Sequence, residues 1–369
     1  MALDMSWERN LHTWIRGWIS HRIGRAWASE FLDVRHLLFA FCDHHEPLWN
    51  GVDDAQGRAR MKTWADGYPA LARNFRDADG LPPRHTFFFP GEQYRPEFLE
   101  PLAKLAGAGL GEVELHLHHE GDTRESLRPQ LEQSLRLFAE HGHLARDPDG
   151  RLRYAFIHGD WALANGRHDG RACGVDDEIP LLFETGCYAD FTFPSAPDES
   201  QPNIVNRIYW PVGDLSRARA YEQGEPARVG HMREDRILMI EGPLALHLRA
   251  TRVPLRIENA CITSNDPATP SRVRRWAVEN IHVAGRPEWV FVKAHMHGAR
   301  PQNFSAYFNS SAQQLHSHLA KRYKDGSAWR LHYVTAREAY NIVKAAEAGM
   351  AGDPDHHRDF AIAPYLNTR

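Results

Sequence analysis

The sequence predicts an α/β protein: a distorted parallel (β/α) barrel of about seven strands, with added N- and C-terminal helices. Three observations predict it. Apolar strand-like runs alternate with amphipathic helical stretches along most of the chain. The length, 369 residues, suits one elaborated barrel. Three of the runs end in His and carboxylate clusters: Cys42-Asp43-His44-His45-Glu46-Pro47, Glu114-Leu115-His116-Leu117-His118-His119-Glu120 and Lys293-Ala294-His295-Met296-His297-Gly298. Barrel sites lie at the C-terminal ends of strands, where these clusters fall.

Composition narrows the class. Apolar residues make up 42% and charged residues 25%, as in a soluble globular protein. The net charge of −4 gives no nucleic-acid footprint. The four cysteines, Cys42, Cys173, Cys187 and Cys261, form no CxxC pair and read as reduced thiols of a cytoplasmic protein. The N-terminus lacks the apolar core of a signal peptide, and no apolar run approaches the ~20 residues of a membrane span. A homo-oligomer is left open.

The elements follow in order. Residues 1–28 form one unit. Trp7, Leu11, Trp14, Ile15, Trp18, Ile19, Ile23 and Trp27 share one helical face, Arg9, Arg16, Arg22 and Arg25 lie elsewhere, and Ser6 is a candidate N-cap. The preferred reading is a helix docked on the barrel or on a second subunit. The competing one is peripheral membrane contact through residues 6–27.

Residues 29–304 read as the catalytic barrel. Val34–Phe41 and His85–Phe89 are strands, the second stopped by Pro90-Gly91. Arg95–Ala106 is helical, with Pro96 in its first turn. Glu112–His118 is the next strand. Asp122-Thr123-Arg124-Glu125 reads as a capping box with Asp122 as the cap, opening a helix to about Glu140. Tyr154–His158 is a strand, and Asp177 caps a short helix closed by Gly186. Further strands fall near Tyr188–Phe193, Ile237–Ile240 and Trp289–Lys293. Residues 196–235 are rich in Pro, Gly, Arg and Glu and read as a long loop. Residues 305–369 read as a helical extension and irregular tail, with a capping box at Thr335-Ala336-Arg337-Glu338.

The clusters carry the chemistry. His116 and His118 are two apart on a strand and face the same way. With one carboxylate they make a three-ligand site with an open position, the arrangement of catalytic zinc. Asp43 is the expected carboxylate, His44 its rival, and Glu120 and His119 further candidates. His295 and His297 also share a face, and either could protonate a leaving group. His158-Gly159-Asp160-Trp161 offers an imidazole, an acid and a flat ring suited to a sugar. Asp176-Asp177-Glu178 reads as helix capping, where acidic groups favour the dipole.

The order of these segments resembles the polysaccharide deacetylase superfamily of carbohydrate esterases over residues 34–300. Phe41-Cys42-Asp43-His44-His45 stands where that family has an apolar strand followed by Thr-Phe-Asp-Asp-Gly. His85-Thr86-Phe87-Phe88-Phe89-Pro90-Gly91 is similar to its next strand. Glu112-Val113-Glu114-Leu115-His116 matches the approach to its metal-binding His. Leu181 to Asp190 looks like its leucine-rich helix, Gly and following strand, and Val290 to His297 matches its late strand and catalytic His. The departures are His44 for the second Asp, Glu120 for the second metal His, and Phe156 to Asn165 in place of an Arg-Pro-Pro-Gly motif.

The resemblance implies a distorted barrel, a divalent metal, usually zinc, and removal of acyl groups from a carbohydrate. The expected ligands are drawn from Asp43, His44, His116, His118 and Glu120. Asp43, His295, His297 and Asp160 are the expected catalytic groups, and Trp161, His158 and Asn165 the expected substrate contacts. Nickel, cobalt, iron and manganese remain compatible with the same donors. Two other readings stand beside this one. One is a glycoside hydrolase using paired carboxylates, Asp43 and Asp160. The other is a non-catalytic carbohydrate-binding protein.

Overall fold

The computed structural model describes residues 10–26, 34–248 and 255–365. Ser6, Trp7, Arg9 and Trp27 of the expected N-terminal helix lie outside the described residues.

The chain folds around a large, mostly parallel sheet. Its strands are β1 (Arg35–His44), β2 (His85–Pro90), β3 (Gly111–Leu117), β4 (Ala145–Arg146), β5 (Leu152–His158), β6 (Cys187–Asp190), β7 (Ile208–Pro211), β8 (Gly224–Pro226), β9 (Leu238–Ile240), β12 (Trp289–Met296) and β13 (Trp329–Val334). Two more, β10 (Ala245–Leu248) and β11 (Leu255–Glu258), form a separate antiparallel pair. The order in the large sheet is β12-β1-β2-β3-β5-β6-β9-β7-β8. Pairing is parallel from β12 to β9 and antiparallel at β9-β7-β8.

This corrects the expected seven strands. The large sheet has eleven, and its hydrogen-bonded path is open, with no pairing between β12 and β9 among the described residues. Lys293 of β12 instead reaches across to the segment after β6. Its Nζ donates to the carbonyls of Phe191 and Phe193, the latter at 2.7 Å.

β1 organises the sheet. It is ten residues long, against six for β2. One edge pairs with β12 from His36 to Asp43. The other pairs with β13 from Arg35 to Ala40 and with β2 from Cys42 to His44. β13 comes from the expected C-terminal extension, so that segment is part of the sheet.

Side-chain alternation divides the core. Leu37, Phe39 and Phe41 belong to a cluster that takes in helices α2 (Asp54–Ala72), α3 (Pro96–Gly107) and α4 (Arg124–Glu140), through Trp64, Tyr68, Phe98, Leu102, Leu131 and Phe138. Leu38, Ala40 and Cys42 face the other way, into a second cluster with Ile342, Val343 and Ala346 of α9 (Ala336–Glu347). Every residue of α9 is buried. Its charged side chains are paired: Arg337 donates to Glu112 Oε1 at 2.8 Å, and Lys344 to Glu347 Oε2 at 2.7 Å.

The remaining helices are α1 (Leu11–Ala26), α5 (Glu178–Thr185), α6 (Pro270–Val278), α7 (Pro301–Phe308) and α8 (Ser310–Tyr323). The Thr335 capping box forms as expected, with Glu338 reaching back to the Thr335 N–H. The α4 cap is Thr123, one residue past the expected Asp122, and its reciprocal partner is Ser126. Residues 196–235 contain β7 and β8 where a loop was expected. α1 docks on this region. Leu11 and Trp14 are buried with Ala196, Val205 and Leu244, and Trp18 packs beside them.

Candidate functional site

The ends of β1, β3 and β12 bring five polar side chains together. His44 has the same parity as Leu38, Ala40 and Cys42 and so faces the α9 side of the sheet, above them. His116 lies two strands away on the same side. Their ring centres are 5.0 Å apart, and His44 lies 4.7 Å from His297 and 6.0 Å from His295.

Glu46, just past β1, is the hub. Its Oε1 lies 3.3 Å from His116 Nε2 and 3.4 Å from His118 Nε2. Its Oε2 lies 3.2 Å from His297 Nδ1 and 3.7 Å from Arg300, whose guanidinium stacks on Trp49. Burial would raise the Glu46 carboxyl. Hydrogen bonds with His116, His118 and His297 outweigh it and hold the group well below the usual carboxylate range.

The ring orientations fit a cation. His116 Nδ1 donates to the Ile157 carbonyl at 2.7 Å. With Nδ1 so engaged, Nε2 faces a carboxylate oxygen, and the contact between them needs a proton or a cation. His118 repeats the pattern, with Nδ1 2.7 Å from Glu92 Oε1 and Nε2 towards Glu46. Only a proton or a metal ion reconciles such contacts. An imidazole anchored through its far nitrogen is also how metal-ligating histidines are held. Ligand atoms of Glu46, His116 and His118 lie within 4.8 Å of one another, as do those of His44, Glu46 and His297. Without an ion, the two glutamates outweigh burial and raise His118 to about 10, a proton that a metal would displace. Burial, His297 and His116 hold His44 well below its ordinary value, so it is neutral.

A cavity of about 390 Å³ opens beside this centre. Trp161, Ser195, Asn259, Cys261, His295 and His297 line it. Trp161 stands edge-on to His297, ring centres 6.2 Å apart. His295 is held well below its ordinary value by burial, then by Lys293 and His297, and its Nδ1 has no partner.

Several expected residues lie elsewhere. Asp43 is the neighbour of His44 on a strand, so it faces the opposite side. It is fully buried there, accepting from Gly298 N at 2.5 Å and meeting His45 Nδ1 at 2.7 Å and His85 Nε2 at 3.2 Å. Glu120 is exposed and accepts from Ala172 N at 3.3 Å. Asp160 is exposed, and Asn165 is bonded to Asp176 at 2.9 Å. His158 turns away from the centre, towards His119 and Glu178. Glu178 is no capping residue: it is fully buried beside those two histidines. Asp177 holds the cap position of α5 without a capping bond and pairs with Arg124 at 2.7 Å.

The residue that sequence reading missed is Glu46. The signal was its position in the His44-His45-Glu46 run, two after His44 and on the same side as the turn begins. A third group, His36, His332 and Asp353, lies at the opposite end of β1. The chain matches no family model, no curated protein and no solved structure.

Proposed function

We propose that this protein is a metal-dependent hydrolase that removes acyl groups from a carbohydrate, in the manner of polysaccharide deacetylases. One observation carries the reading: the Glu46 carboxylate is shared by three imidazoles, one of which, His297, lines the adjoining cavity. Glu46, His116 and His118 would hold the ion, two nitrogens and one oxygen with positions left open. A divalent ion there would polarise an acyl carbonyl and make a water molecule a better nucleophile.

The chain's own groups supply the proton transfers. His44, kept neutral, is placed to take the proton of the attacking water. His297, tied to Glu46 and lining the cavity, is placed to protonate the departing amine or alcohol as its bond to the acyl carbon breaks. Trp161, which lines the cavity, offers a flat ring beside polar groups, which suits the apolar face of a sugar. The glycoside hydrolase reading has less support, since Asp43 faces away from the cavity.

The test is metal analysis with a deacetylation assay on acetylated sugars. Purified protein should carry a divalent ion and lose acetate-releasing activity on chelation. Protein that binds no divalent ion after loading with zinc, nickel or cobalt would overturn the proposal.

A further inference from the structure

A second buried cluster lies on the opposite face of the sheet. His119 follows β3, His158 ends β5, Cys173 sits in the loop after it, and Glu178 opens α5. All four are buried, and one ligand atom of each falls within 4.8 Å of the others. His158 Nε2 lies 2.9 Å from His119 Nε2, and each nitrogen is 3.4 Å from Glu178 Oε1. Cys173 Sγ is 3.7 Å from Glu178 Oε2.

Backbone groups hold two of the donors, His158 and Cys173. His158 Nδ1 donates to the Gly159 carbonyl at 2.5 Å, which turns the Nε2 lone pair inward. His119 Nδ1 faces Asp122 Oδ2 at 3.4 Å. Cys173 Sγ accepts the Asn165 N–H at 3.0 Å. Two nitrogens, a sulfur and a carboxylate oxygen are all zinc ligand types, and four such donors closed from solvent meet the coordination number of a structural site.

We propose that His119, His158, Cys173 and Glu178 bind a structural zinc ion, separate from the catalytic centre. The ion would clamp the loop from Gly159 to Asp177 between β5 and α5. That loop needs a clamp. Asp160, Trp161, Ala164, Asn165 and Ala172 all take left-handed backbone angles, which cost energy in residues other than glycine. It also presents Trp161 to the cavity, so the zinc would fix an aromatic wall of the proposed active site.

Cobalt substitution separates this site from the catalytic one, since no Cys lies in the His44, Glu46, His116, His118 and His297 group. Full-length protein loaded with Co(II) under reducing conditions should show a thiolate-to-cobalt charge-transfer band. The band should persist in His116→Ala and Glu46→Gln, and should vanish in Cys173→Ser, which is close in size. Cys173→His restores a nitrogen donor and should lose the band yet keep the ion. Wild-type protein without the band, or a band that survives both Cys173 substitutions, overturns the proposal. Either result leaves the catalytic reading to the metal lost in Glu46→Gln, a residue outside this cluster.

Discussion

Glu46 and His297, 251 residues apart in the chain, meet with Oε2 3.2 Å from Nδ1. The contact joins the end of β1 to the end of β12 and leaves Oε1 facing His116 and His118. Glu46→Gln keeps the shape and removes the charge. It should weaken divalent metal binding by more than the ~10–100-fold that loss of a supporting group costs. Competition with a fluorescent chelator measures it. Affinity at the wild-type level would remove Glu46 from the ligand set.

His297 is placed to donate a proton and lies at the edge of the ligand group. His297→Ala should lower kcat by ~10²–10⁴ while metal content holds. A parallel loss of metal would make His297 a ligand. Unchanged turnover would take it out of the mechanism, leaving His295, which lines the same cavity.

Much of this was legible in the sequence, and the failures have physical causes. The strands and the meeting of His44, His116, His118 and His297 follow from apolar runs ending in histidines. The choice of carboxylate does not. Asp43 and His44 are adjacent on a strand, so only one can face the centre, and the apolar run gives no preference between its two buried faces. α2 carries a helical signal at Met61, Trp64, Tyr68 and Leu71, interrupted by Gly57, Gly67 and Pro69. β13, β7 and β8 are only six, four and three residues long, and long-range pairing defines them. Glu178 and Cys173 come together with His119 and His158 through tertiary structure alone.

Asp43 should behave as a structural residue. Burial would raise its carboxyl, yet His45 and His85 hold it at about 2, so it is a paired buried anion. Asp43→Asn breaks that pairing and faces an amide donor towards the histidines, at a cost of about 3 kcal/mol. Thermal unfolding should shift down by several degrees with metal content close to wild type. Metal loss at an unchanged unfolding midpoint would restore Asp43 as a ligand. Gly298→Ala tests the same contact, since a Cβ there would meet Asp43 Oδ2 at 2.3 Å.

Acid should destabilise the protein through the charge cluster at the other end of the sheet. Burial would raise Asp79, but His332 and Arg358 hold it at about 2, with His332 Nδ1 2.6 Å away. Its folded value lies below its unfolded one near 4, so its contribution is complete above that pH and is lost on acidification towards 2. Asp79 is partly open to solvent screening, so the contribution is about 1 kcal/mol. Asp79→Asn should lower stability near neutrality and flatten its fall between pH 4 and 2. Denaturant titrations across that range test this, and parallel curves for the two proteins would count against it.

The N-terminal helix gives the last prediction. Its predicted apolar face is divided. Trp14 is fully buried and Leu11 nearly so, whereas Ile19 and Ile23 are 47% and 57% exposed. Gly17 lies so close to the 196–205 segment that a Cβ would meet the Asn203 carbonyl oxygen at 1.6 Å. The helix therefore docks on its own chain at both ends: Asn10 donates to the Pro197 carbonyl at 2.9 Å, and Arg25 donates to the Val278 carbonyl. Pro197 and Asn10 also line the cavity, which ties this docking to the site. Trp14→Ala should cost about 3–5 kcal/mol, as for other buried Trp truncations, and Gly17→Val should dislodge the helix. Both should lower the unfolding midpoint and open the cavity. Membrane binding through the same face makes the opposite forecast: unchanged folding stability in Trp14→Ala, and full-length protein that sediments with anionic vesicles. Unfolding curves of both variants and one vesicle assay separate the two, and a Trp14→Ala protein as stable as wild type would defeat the docking account.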